Sequence, residues 1–140
     1  MDALSAARIS GITEVVYTSR KPPLAWRGTR AEALLDLGAL KCEAVFYEGN
    51  ARGAAQAFPK NANVAATIAL AGLGFERTRV RLIADPAAPG NVHEFQLRSA
   101  CADVDIRIVG KPSPDNPKTS LSTVYALARE VLYRTAHQVV

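Results

Sequence analysis

A chain of 140 residues, 49% hydrophobic and 21% charged, is long enough for one domain with a buried core and has the make-up of an ordinary globular protein. Seventeen Lys and Arg against thirteen Asp and Glu leave a formal charge of +4. The basic residues are scattered and do not interleave with the few aromatics into a stacking surface, which argues against a nucleic-acid-binding protein.

In chain order, "DALSAAR" (2–8) reads as a short helical piece and "ITEVVYTS" (12–19) as a strand rich in β-branched residues. The opening "MDALSAARISG" has no cationic segment leading into an apolar core, so no signal peptide is expected. "RKPPLAWRGTRAEALL" is a loop stiffened by Pro22 and Pro23, then a short helix. "AVFYEG" (44–49) is a second strand, followed by a helix over "NARGAAQAF" with Asn50 as its N-cap.

"PKNANVAATIALAGLG" (59–74) carries apolar residues nearly all round the helical wheel, which predicts a helix buried on most sides and stopped by Gly72 and Gly74. Its apolar core, the longest in the chain, is too short to span a bilayer. Three strands follow, "TRVRLIAD" (78–85), "VHEFQLR" (92–98) and "DVDIRIVG" (103–110), the last two close enough to form a hairpin. The proline-dense "KPSPDNP" leads into a final helix from 118 to about 136. Leu121, Val124, Tyr125, Ala128, Val131 and Leu132 form one apolar stripe on that helix.

About five strands, three of them consecutive, with three substantial helices predict an α+β fold: an open mixed sheet with helices on one face. The outward parity of the late strands (Arg79, Arg81, Glu94, Gln96, Arg98, Asp105, Arg107) fits either a solvated sheet face or a charge-matched subunit interface. Cys42 and Cys101 are isolated in sequence. They read as reduced thiols of a cytoplasmic protein, not as a disulfide framework or metal site, and no metal is expected.

No glycine-rich phosphate loop, Walker motif, H-E-x-x-H pair or nucleophile elbow is present. What remains is polar residues at element ends. Lys60, Asn61 and Asn63 open the apolar helix; Asp85, Asn91 and His93 flank a turn; Asn116, Lys118, Thr119 and Ser120 open the last helix. Each has a structural explanation: Asn61, Asn116 or Thr119 as caps, Asp85 as a turn former, His93 as a hydrogen-bonded core residue. Taken together, two helix starts bearing amides and lysines make an anion-friendly pocket, and a histidine beside it can transfer protons at neutral pH. On these grounds Lys60 and Lys118 are candidates for holding substrate carboxylates, with helix-terminal structural roles as the alternative.

"FPKNANVAATIALAGLGFERTRVRLIADP", "NVHEF" and "NPKTS", with "DALSAAR", "RKPP" and "FYEGNARGAAQAFPKN", resemble the C-terminal catalytic domain of aspartate dehydrogenase over nearly all 140 residues. The resemblance implies hydride transfer between NAD or NADP and L-aspartate. The product is iminoaspartate, which hydrolyses to oxaloacetate and ammonia or feeds NAD biosynthesis. It implies His93 as the catalytic residue and, from the second Asn of K-N-x-N, Asn63 as a dinucleotide contact. It also implies an open, mostly antiparallel sheet of the glyceraldehyde-3-phosphate dehydrogenase C-terminal type, a cytoplasmic homodimer formed through the sheet face, and no nucleic-acid or membrane partner. The family's dinucleotide-binding domain has no counterpart in these 140 residues, and the helix at 118–137 is expected to pack toward it. Where the family usually has glycines after the histidine strand, this chain has "RSACADV". Two other readings stay open: a stand-alone binding or assembly module that keeps the fold without the reaction, and a reductase with another substrate.

Overall fold

A computed structural model describes residues 2–111 and 121–135. Helix α1 (Asp2–Ser10) precedes strand β1 (Ile12–Lys21), and a 3-10 turn (Pro23–Trp26) leads to the one-turn helix α2 (Ala31–Leu34). Strand β2 (Ala44–Asn50) runs straight into α3 (Ala51–Ala57), which is followed by α4 (Asn63–Ala71). Strands β3 (Thr78–Ala84), β4 (Asn91–Ser99) and β5 (Asp103–Gly110) complete the sheet, and α5 (Leu121–Thr135) is the last helix.

The five strands form one open sheet in the order β2-β3-β1-β4-β5. Every neighbouring pair is antiparallel except β1 and β3, which run parallel. The first strand thus lies mid-sheet, reached by a crossover that carries α3 and α4, whereas β4 and β5 are the expected hairpin.

Alternation along the strands sends Tyr17, Val80, Leu82 and Ala84 to the face that α3 and α4 cover. The helices present small side chains to it: Ala51 and Ala54 from α3, Ala65 and Ala69 from α4, all with no exposed surface. Alanine at these positions lets the helix backbones approach closely, and the remaining space is filled by rings. Trp26 meets Phe46 edge-on with centroids 4.8 Å apart, and Phe46 meets Phe58 at 5.4 Å. The Trp26 indole N–H donates to the Ile83 carbonyl at 3.1 Å, so burying this ring strands no donor.

Asn50 caps α3 as expected, its Oδ1 accepting from the Gly53 backbone N–H at 2.9 Å while its Nδ2 donates to Glu76. Asn50→Ala should therefore cost about 1 kcal/mol in the urea-unfolding free energy, with the slope of the transition unchanged. Gly74, at φ 82°, closes the end of α4 by donating its N–H to Ala69 at 2.9 Å.

Two expectations need correction at α4. The helix is shorter than the apolar run, and it is buried along the Ala65–Ala69 stripe alone; Leu70 is 75% exposed. An open sheet covers only one side of a helix lying on it, whatever the residues opposite. Nor does Asn61 cap the helix. The cap position is Ala62, with no side-chain hydrogen bond, and Asn61 is engaged elsewhere.

The last helix presents Tyr125, Leu127, Val131 and Leu132 more than half exposed, with Leu121 half-buried. The Val124 side chain of this stripe lies outside the described residues, as do Asn116, Lys118, Thr119 and Ser120. No described helix is long and apolar enough to cross a membrane, and among the described residues no group of His, Cys, Asp and Glu is arranged to hold a metal.

Candidate active site

The C-terminal end of β1 and the start of β4 lie side by side, with Ser19 opposite His93 and Tyr17 opposite Phe95. Tyr17, Ser19 and Lys21 project from the same face of β1, and His93 joins them from the neighbouring strand. The Tyr17 and His93 rings lie nearly parallel, 13° apart with centroids 6.0 Å apart, and the Tyr17 hydroxyl is 2.6 Å from His93 Nδ1.

Burial pushes the Tyr17 phenol up to about 12, so it is protonated across the physiological range. A neutral hydroxyl can donate to Nδ1 when Nε2 carries the imidazole proton, or accept from Nδ1–H when Nε2 is bare. Tyr17 therefore holds the ring in place in either tautomer. Burial also lowers the His93 pKa below its usual value, and the positive charge of Lys21 lowers it further. Both effects favour the neutral imidazole at pH 7.

Lys21 is half-buried under the helices. Its ammonium donates to Asn61 Oδ1 at 3.0 Å and lies over the Trp26 ring, 4.7 Å from the centroid. Burial lowers its pKa. On the other face, Arg20 pairs with Asp85 at 2.9 Å and with Glu43, while the Asp85 N–H donates to the Lys21 carbonyl at 2.9 Å. These contacts tie the ends of β1 and β3 together and hold Lys21 in register.

The raised Tyr17 pKa has a measurable consequence. A group with a higher pKa folded than unfolded stabilises the fold below its unfolded value and loses that contribution as pH climbs through the folded one. Stability should fall by about 2–3 kcal/mol between roughly pH 10 and 12. Comparing unfolding free energies of wild type and Tyr17→Phe across that window isolates the phenol, since the variant lacks this component of the loss.

His93 thus sits at a strand start on the helix-covered face, in contact with titratable neighbours. Asn63 is the first residue of α4 and exposed. Lys60 is also exposed, on the rim of a cleft of about 220 Å³ with Arg30, Phe58 and Asn61, the last of which it shares with Lys21. Lys118 lies outside the described residues. Sequence reasoning missed Tyr17 and Lys21 and misassigned Asn61. The available signal was the inward parity of Tyr17, Ser19 and Lys21 in "VVYTSRKPP", which puts a lysine on the core side of a strand end.

An open mixed sheet with a histidine–tyrosine pair at a covered strand end holds a proton-transfer group in a fixed position. Structurally the chain matches aspartate dehydrogenase from Thermotoga maritima with a TM-score of 0.68 at 29% identity, covering 99% of this chain and 51% of that one. A family model described as aspartate dehydrogenase, C-terminal, matches residues 2–133, and the chain belongs to this family. L-Aspartate dehydrogenase of Cupriavidus necator is 53% identical over 139 residues, covering 99% of this chain and 52% of the relative. That of Pseudomonas aeruginosa is 52% identical over 129 residues, covering 92% and 48%. The chain spans about half the length of the curated relatives it matches.

Proposed function

We propose that this chain is the catalytic-domain portion of an L-aspartate dehydrogenase, an enzyme that oxidises L-aspartate to iminoaspartate with NAD or NADP and supplies pyridine nucleotide biosynthesis. The observation that carries the reading is the His93–Tyr17 pair, 2.6 Å apart beside Lys21, in a chain that belongs to the aspartate dehydrogenase family.

When bound, a pyridine dinucleotide would supply the hydride acceptor for the substrate's amino carbon. His93 moves protons at Nε2: with Nδ1–H donating to the Tyr17 oxygen throughout, the bare Nε2 accepts a proton as the amine becomes an imine and returns it during hydrolysis. Asn63 fits a dinucleotide contact: its amide is exposed on the first turn of a helix whose cap residue, Ala62, makes no side-chain hydrogen bond. The glycine-rich cradle for the pyrophosphate is not found in these 140 residues, so that part of the grip belongs to a separate dinucleotide-binding domain.

The same reading gives partners to two surfaces. The exposed side chains of α5 (Tyr125, Leu127, Val131, Leu132) dock against the dinucleotide-binding domain. The outer sheet face pairs two copies into a dimer in the cytoplasm. That face carries Arg98 with Asp105 at 2.8 Å and Arg107 with Glu94 at 3.3 Å. Mixing this chain with a separately expressed dinucleotide-binding domain and following L-aspartate-dependent NADH or NADPH formation tests the assignment. Turnover only in the mixture is expected; no turnover with either nucleotide would favour a binding module that has kept the fold alone.

A further inference from the structure

We propose that Lys21 is the carboxylate-binding residue of this site, holding one carboxylate of the dicarboxylic substrate while His93 works at the amino carbon. The proposal rests on the dehydrogenase reading above and deepens it by assigning a residue to substrate recognition. Lys60 and Lys118, the lysines singled out in the sequence, are not needed for the role.

The first argument is charge accounting. The half-buried arginines among the described residues, Arg20, Arg81 and Arg98, all have acidic partners. Lys21 is half-buried, yet among the described residues no carboxylate approaches its ammonium within ion-pair distance; its partners are the neutral Asn61 and the Trp26 ring. A half-buried cation without a counter-ion is unfavourable, and a fold that keeps one gains when an anion arrives.

The second argument is valence. An ammonium has three N–H donors. One goes to Asn61, and the indole face holds the head group from another side without consuming a directed bond. A donor therefore remains for a ligand oxygen. The third argument is position. Lys21 lies two residues beyond Ser19, which is opposite His93, and its charge is felt at the imidazole. Asn61, its partner, lies two residues before α4, whose N-terminal dipole adds to the positive field on that side of the sheet. A single anion seated there relieves both charges, and a dicarboxylic amino acid held by one carboxylate presents its amino carbon toward the adjacent histidine.

Two measurements test this. In the mixed assay, Lys21→Met should raise KM for L-aspartate about 10- to 100-fold, the loss of one charge-assisted hydrogen bond, with KM for the nucleotide unchanged. Lys21→Arg should recover much of the loss. In the chain alone, the ring protons of His93 are followed by NMR as succinate is added against chloride at equal ionic strength. Succinate is expected to raise the His93 pKa in wild type and in Lys21→Arg, and to leave it unmoved in Lys21→Met, with circular dichroism confirming that each variant is folded.

A wild-type chain that turns over no L-aspartate but shows the Lys21-dependent succinate response defeats the dehydrogenase reading and supports the anion site. A succinate response that survives in Lys21→Met, or is missing from wild type at saturating succinate, overturns the proposal. So does a loss confined to kcat with KM for L-aspartate unchanged.

Discussion

Replacing His93 with alanine should lower kcat/KM for L-aspartate about a thousandfold in the assay that supplies the dinucleotide-binding domain in trans, within the range that positioned acid–base groups contribute. His93 sits on the covered face, its Nδ1 2.6 Å from the Tyr17 hydroxyl. The variant removes the proton carrier and leaves Tyr17 and Lys21 in place, so substrate and nucleotide binding should change far less than turnover. The pH profile supplies an independent check. Burial and the nearby Lys21 charge depress the His93 pKa, so the acid limb of kcat/KM should lie below 6.5 in wild type and vanish from the residual activity of His93→Ala. Undiminished turnover in the variant would remove His93 from the mechanism and leave the strand end with a structural role.

Leu82→Ala should cost about 3–5 kcal/mol of unfolding free energy, among the large stability effects expected of a single substitution here. Leu82 has no exposed surface and sits in β3, flanked by β1 and β2, with Ser19 and Tyr47 as its cross-strand partners. Its neighbours on the covered face are alanines and rings whose backbones are already close, so little can move inward to fill the space left by the lost isobutyl group. Against a typical domain stability of about 5–15 kcal/mol, a loss of that size brings the midpoint of a guanidinium transition close to zero denaturant. A cost below about 1 kcal/mol, similar to that of an exposed site, would show that α3 and α4 relax onto the sheet. Leu70→Ala on the same helix layer is the matching control, since that side chain is 75% exposed.

The two sites differ in how readable they were. Asn50 as a cap, Gly72 and Gly74 as a helix stop, and the hairpin of β4 and β5 depend on residues within one turn or one short loop, and local chemistry specifies them. The parity of His93 with Phe95 and Leu97 likewise follows from the pleat of a single strand. The parallel pairing of β1 with β3 is different. It joins Val15 to Thr78 across three intervening α-helices and a strand, and nothing in either strand's alternation selects a parallel central neighbour over an antiparallel one. The depth of α4 was misread for a related reason: an apolar wheel reports what a helix can bury, not how many sides the fold covers.

The sequence by itself determined the type and order of the elements, which face of its strand His93 occupies, and the likeness to the aspartate dehydrogenase catalytic domain, because each of these is written in short-range pattern or motif. Only the tertiary structure decided what surrounds that histidine. Tyr17 reaches it across 76 positions of sequence, and Lys21 meets Asn61 across 40, through a mid-sheet placement of β1 that local propensity does not encode. Contacts between distant positions follow from strand order and register, and these are settled by the packing of the whole sheet against its helices.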